Sequence, residues 1–146
     1  MCDALFIGAD RELALIQYEA EKTPLHIMNI SETEKTVLDK IKKPYVYYIG
    51  AYEGCGCGFH YGITEKEYGK EFVEPDEEIK GRQSVETLFQ YLSSELKTGE
   101  EFILFNSWEG EFDQPVAKET TINLNTFQPP PSFQFENHER IRIIKQ

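Results

Sequence analysis

Short runs of β-branched and aromatic residues recur along this chain, and only two stretches between them carry apolar residues at helical spacing. That pattern is the strongest constraint on the fold. Runs of the first kind bury themselves by pairing into a sheet, and a helical stripe needs a sheet face to dock on. Ala4–Ile7 and Leu25–Ile30 read as buried strands, Tyr45–Tyr52 (YVYYIGAY) as a third, and Phe59–Thr64 (FHYGIT) as its hairpin partner. Glu100–Trp108 (EEFILFNSW) is apolar at both parities, the pattern of a strand covered on both faces. VAKETTINLNTF alternates like a strand with one wet face, and FQFENHERIRIIK supplies a last strand or hairpin after the rigid Pro129–Pro131 connector. In Glu12–Lys22, Leu13, Leu15 and Gln17 alternate with Ala14, Ile16 and Tyr18, which favours an extended arm over a helix.

Both helical stretches carry boundary signals. Ser31 followed by Glu34 has the spacing of a capping box, with Val37, Leu38 and Ile41 as its stripe and Lys42, Lys43 and Pro44 as its stop. Ser84 reads as the N-cap of the longer helix, Val85, Leu88, Phe89, Leu92 and Leu96 as its buried face, and Gly99 as the residue past its end. The expected fold is α+β: a single mixed or mainly antiparallel sheet with two helices packed on one face. One globular domain spanning residues 1–146 is expected, with an acidic, solvated loop excursion at about residues 65–82. A chain of 146 residues can build its core without disulfides or a structural metal.

Charge narrows the partners. Lys and Arg number 15 against 26 Asp and Glu, a net −11, so the surface repels phosphate backbones and anionic lipid; no nucleic acid and no membrane partner is expected. The N-terminal apolar run is interrupted by Gly8, Asp10, Arg11 and Glu12, unlike a secretory signal. An odd three cysteines do not form a secreted disulfide framework, which points to a reducing, cytoplasmic location.

Chemistry concentrates in Glu53–Gly62, EGCGCGFHYG, where Gly54, Cys55, Gly56, Cys57 and Gly58 form a candidate binding loop. In a regular strand Cys55, Cys57, Phe59 and Tyr61 would share one face and His60 the other, leaving both thiols as buried small hydrophobes. The glycines favour a coiled loop instead, since each weakens a strand and admits positive φ. A curl at Gly56 would close the ~6.6 Å between residues two apart in a strand, toward the geometry of a disulfide or of a tetrahedral metal. The candidate metal set is Cys2, Cys55 and Cys57, with His60 if the glycines rotate it round; soft thiolates suit zinc or copper(I). Cys55 and Cys57 alone would serve a thiol oxidoreductase. His26 reads as a sheet histidine and His138 as an exposed turn residue, while Glu109, Glu111 and Asp113 read as a solvated acidic loop.

The segments MCDALFIG, PYVYYIGAYEGCGCGF, ETLFQYLSSEL and FNSWEGE resemble a family of small uncharacterised bacterial proteins with a G-C-G-C-G-F core. The resemblance covers most of the chain in scattered blocks, with residues 65–82 outside it, and implies no activity. Three functions therefore stand beside one another. The first is a non-enzymatic cytoplasmic binding domain for a small molecule or protein, using an aromatic surface of Tyr45, Tyr47, Tyr48, Tyr52, Phe59, Tyr61 and Trp108 unless those residues are core; a groove beside the glycine loop would favour it and a filled core would not. The others are a metal-binding thiol protein and a thiol oxidoreductase. A homodimer is expected through an apolar C-terminal edge strand, IRIIK.

Overall fold

The computed structural model of the chain describes residues 3–20, 22–62 and 75–146. Six strands form the main sheet: β1 (Asp3–Ala9), β2 (His26–Asn29), β3 (Tyr45–Gly50), β5 (Glu101–Trp108), β6 (Lys118–Asn123) and β8 (Glu139–Ile144), in the order β2-β3-β1-β5-β8-β6. Every neighbouring pair is antiparallel except β6 and β8, which are parallel. The fold is α+β with a mixed, mainly antiparallel sheet. A second, two-stranded sheet joins β4 (His60–Tyr61) to β7 (Phe133–Gln134).

The two helices lie on opposite faces of the sheet, not on one. Helix α2 (Pro75–Glu95) buries Val85, Leu88 and Leu92 against the face carrying Leu5, Ile7, Phe102, Leu104, Ile141 and Ile143. The other face carries Ala4, Phe6, Ile103 and Phe105. It is covered by Val37 and Ile41, from the 3-10 turn Glu32–Val37 and the short α1 (Leu38–Ile41), and by Phe112 from the loop after β5. The cause lies in β1 and β5, which are apolar at both parities and so present two dry faces, each of which must be shielded from water. Phe6 meets Phe112 and Tyr48 edge to face on the second side, at 5.4 and 5.6 Å between centroids.

The hairpin expected between Tyr45–Tyr52 and Phe59–Thr64 does not form. A strand has two edges, and those of β3 are taken by β1 and β2. The chain leaving Gly50 therefore turns away, and β4 finds its partner in β7. The C-terminal strand is likewise no edge, because β8 lies between β5 and β6; a dimer through IRIIK has no open ladder to use. The arm before β2 is extended, and Ile16 bridges Ile27 through two backbone hydrogen bonds of 3.0 Å.

Helix α2 begins nine residues before the expected cap at Ser84. Pro75 followed by Asp76, Glu77 and Glu78 is a sound helix start, with a fixed φ at the first position and carboxylates against the positive end of the dipole. Ser84 is fully buried inside the helix, and its hydroxyl accepts the Tyr52 N–H at 3.2 Å. Residues 75–82 of the expected acidic loop are thus helix, and the rest of that stretch, up to residue 74, lies outside the described residues. The capping box at Ser31 is present: the Glu34 carboxylate accepts the Ser31 N–H at 2.7 Å. Among the described residues no helix is long and apolar enough to cross a membrane.

Candidate functional site

The glycine loop closes over one end of the sheet, on the α2 side. Gly54 has φ +89°, and the Ala51 carbonyl accepts its N–H at 2.9 Å, so the chain reverses at once after β3. A 3-10 turn, Gly56–Gly58, follows. Gly56 lies flat on the start of β1, where an added Cβ would stand 2.9 Å from the Asp3 carbonyl oxygen and 3.0 Å from the Leu5 nitrogen. Gly56 and Gly58 are buried, and Cys55 and Cys57 are only half-buried. This reverses the burial that strand parity assigns, because the turn needs its bare α-carbons, not its thiols, against the sheet.

The same turn undoes the separation of Cys57 from His60. Both line a cavity of about 40 Å³ together with Asp3, Phe59, Asn106, Gln134 and Phe135. Cys57 Sγ accepts a hydrogen bond from the Asp3 N–H at 3.1 Å. Asn106 is fully buried, and its amide donates to Asp3 Oδ1 at 3.4 Å and to the Glu136 carbonyl at 3.1 Å. Those two acceptors fix the amide orientation, leaving Asn106 Oδ1 buried with no hydrogen-bond partner among the described residues. Burial holds the Asp3 carboxyl above the usual carboxylate range, against the opposing effects of the Asn106 hydrogen bond and the nearby His60. Cys55 is not part of this lining.

Cys2, a member of the candidate set Cys2, Cys55, Cys57 and His60, lies outside the described residues. Among the described residues no three His, Cys, Asp or Glu side chains are grouped so as to hold a metal ion. Asp3 and Asn106 were not singled out by sequence reasoning, although Asn106 carried a signal. It occupies the parity of Phe102 and Leu104, the apolar face of its strand, where a polar residue is anomalous.

A larger feature runs beside the glycine loop, between the Ile16–Leu25 arm and α2. One depression of about 320 Å³ is lined by Tyr18, Tyr52, Glu53, Lys80 and Gln83 among others, and a second of about 430 Å³ by Ile16, Thr87, Gln90, Tyr91 and Ser94. Lys22, Thr23 and Pro24 line both, so the two depressions adjoin along the arm. The Tyr18 hydroxyl donates to the Tyr52 carbonyl at 3.1 Å, and Lys80 Nζ sits 5.9 Å from the centre of the Tyr52 ring. The Tyr91 hydroxyl is buried without a partner among the described residues, and burial followed by the Glu95 charge pushes its pKa up to about 12. Most of the expected aromatic surface is core: Tyr47, Tyr48, Phe59 and Tyr61 are buried, and only Tyr45 and Trp108 are exposed.

The remaining titratable candidates stay apart from both features. His26 is buried and its Nδ1 has no partner among the described residues, so it is not a satisfied sheet histidine. His138, in a turn with φ 58°, is half-buried with Nε2 3.5 Å from Glu111. Glu109 and Asp113 are exposed. Comparison of the chain with protein-family models, with curated proteins and with solved structures gave no match.

Proposed function

We propose that the protein is a non-enzymatic binding domain that takes a small anionic, ring-bearing molecule into the groove between the Ile16–Leu25 arm and α2. The observation that carries this reading is the groove itself, whose charged lining is Lys22 and Lys80 against Glu53, in a chain of net charge −11. Cations gathered in a concavity of an acidic protein select for an anion, and low-dielectric walls strengthen that preference. Tyr18 and Tyr52 supply ring surface at one end of the groove, and Tyr91 lines the other.

Thermal unfolding in the presence of a panel of aromatic carboxylates and phosphate esters tests the reading. A ligand at one hundred times its Kd stabilises the native state by about 2.7 kcal/mol. The wild type should gain that much with at least one panel member, and Lys80→Ala should weaken the same compound about tenfold or more. A panel without a single stabiliser, or a stabiliser indifferent to Lys80→Ala, would sink the proposal.

A further inference from the structure

The arm that forms one wall of the groove is held lightly. None of the described residues between Ala14 and Pro24 is buried. Among the described residues, hydrogen bonds tie this stretch to the body of the protein at two places: the Ile16–Ile27 bridge, and the Tyr18 hydroxyl donating to the Tyr52 carbonyl at 3.1 Å. Against the arm lies His26, 2% exposed. Its ring is enclosed by Tyr18 from the arm, at 5.1 Å between centroids, and by Tyr48 and Gly50 from β3. His26 Nδ1 is buried with no hydrogen-bond partner among the described residues, and neither neighbouring ring is a carboxylate that would hold a second proton there. Burial alone lowers its pKa; no charged side chain of a neighbouring element contributes. A charge on this ring therefore needs water. Strand β3 is paired on both edges and holds its side of the enclosure fixed, whereas Tyr18 is half-buried and sits on the lightly tied arm.

We propose that residues 14–20 of the arm form an acid-released strap: protonation of His26 swings them off the sheet, parting Ile16 from Ile27 and Tyr18 from Tyr52, while the sheet itself stays folded. The closed form holds the neutral ring, and the open form lets the ring titrate like an exposed histidine. Above about pH 6.5 the closed form keeps its full advantage. As the pH falls below that value the open form gains about tenfold per unit, until the lowered value of the closed form is reached. Tyr18 couples the strap to the glycine loop as well, since an added Cβ on Gly54 would stand 3.5 Å from its Cζ. Ile16 and Tyr18 also line the groove, so release of the strap would release a ligand bound there. That consequence alone rests on the groove reading; the opening itself is measured on the protein without ligand.

Native-state amide exchange of the full chain, read by NMR at about pH 7.5 and about pH 5 and divided by the intrinsic rate at each pH, tests the strap. Ile16 and Ile27 donate the two bridge hydrogen bonds, so their amides report its opening. Their protection should lie below that of β5 at both pH values and should fall about tenfold or more at the lower one. His26→Phe keeps a ring and removes the titration, and should hold the fall within about twofold. Tyr18→Ala removes the cover from the arm side; the His26 midpoint, followed by its ring protons in the folded protein, should then rise toward the ordinary value of about 6.5. Should His26→Phe not fold, the wild type and Tyr18→Ala decide. Bridge amides whose protection is independent of pH in the wild type, or that open only together with β5, would overturn the proposal. So would a His26 midpoint unmoved in folded Tyr18→Ala, or a ring that takes up its proton while the Ile16 and Ile27 amides stay protected.

Discussion

The His26 ring is 2% exposed and lies directly on Gly50, where an added Cβ would stand 1.7 Å from its Cε1. Only glycine at position 50 leaves room for it. Around it stand the rings of Tyr18 and Tyr48, at 5.1 and 6.1 Å between centroids, and burial pushes its pKa below the ordinary 6.5. The folded chain therefore prefers the neutral ring, while the unfolded chain takes up a proton once the pH falls below about 6.5. More protons bound in the unfolded state mean that stability rises with pH across this window. Urea unfolding should show a loss of up to about 1.4 kcal/mol per pH unit as the pH drops from 6.5 toward the depressed folded value, with no change from this group above it. His26→Gln should flatten that slope; an unchanged slope would assign it to other groups.

At the scale of elements, α2 is held to the rest by close approach as well as by its apolar stripe. Gly81 lies so near β4 that an added Cβ would stand 2.1 Å from the His60 carbonyl oxygen. The helix therefore passes directly over the strand that follows the cysteine loop. The Glu78 carboxylate secures the same junction by accepting the Gly62 N–H at 2.9 and 3.0 Å. Gly81→Ala sets two effects against each other. Alanine gains about 1 kcal/mol of helix propensity, but the clash is with backbone, which cannot swing aside as a side chain would. A net loss of about 1–3 kcal/mol in chemical denaturation is expected; a more stable Gly81→Ala protein would show that the junction yields. The cysteine loop follows the same rule at Gly56. Both contacts join residues far apart in the chain, so the sequence displays the glycines without displaying what they touch.

For the whole molecule, the sheet order makes β1 and β5 the centre of the structure. Each is paired on both edges and covered on both faces, while β6 is a partly exposed edge strand. Native-state amide exchange should be slowest in β1 and β5 and faster in β6, following the local opening free energy. Equal protection in β6 and β1 would contradict this layering. The sequence by itself determined the α+β class, most of the strands, the extended arm, the capping box and the buried stripe of α2, because all of these rest on residues within a few positions of one another. It also held two signals that local reading passes over: Pro75 with its acidic followers, and Asn106 at an apolar parity. Only the tertiary structure decided that the helices cover opposite faces, that β4 pairs with β7, and that IRIIK is interior. It also decided that a 3-10 turn carries Cys57 and His60 to the buried Asn106 and the half-buried Asp3. The reason is physical: periodicity reports which side of an element is dry, whereas the partner on that side is chosen by competition among all the dry faces and open strand edges of the chain.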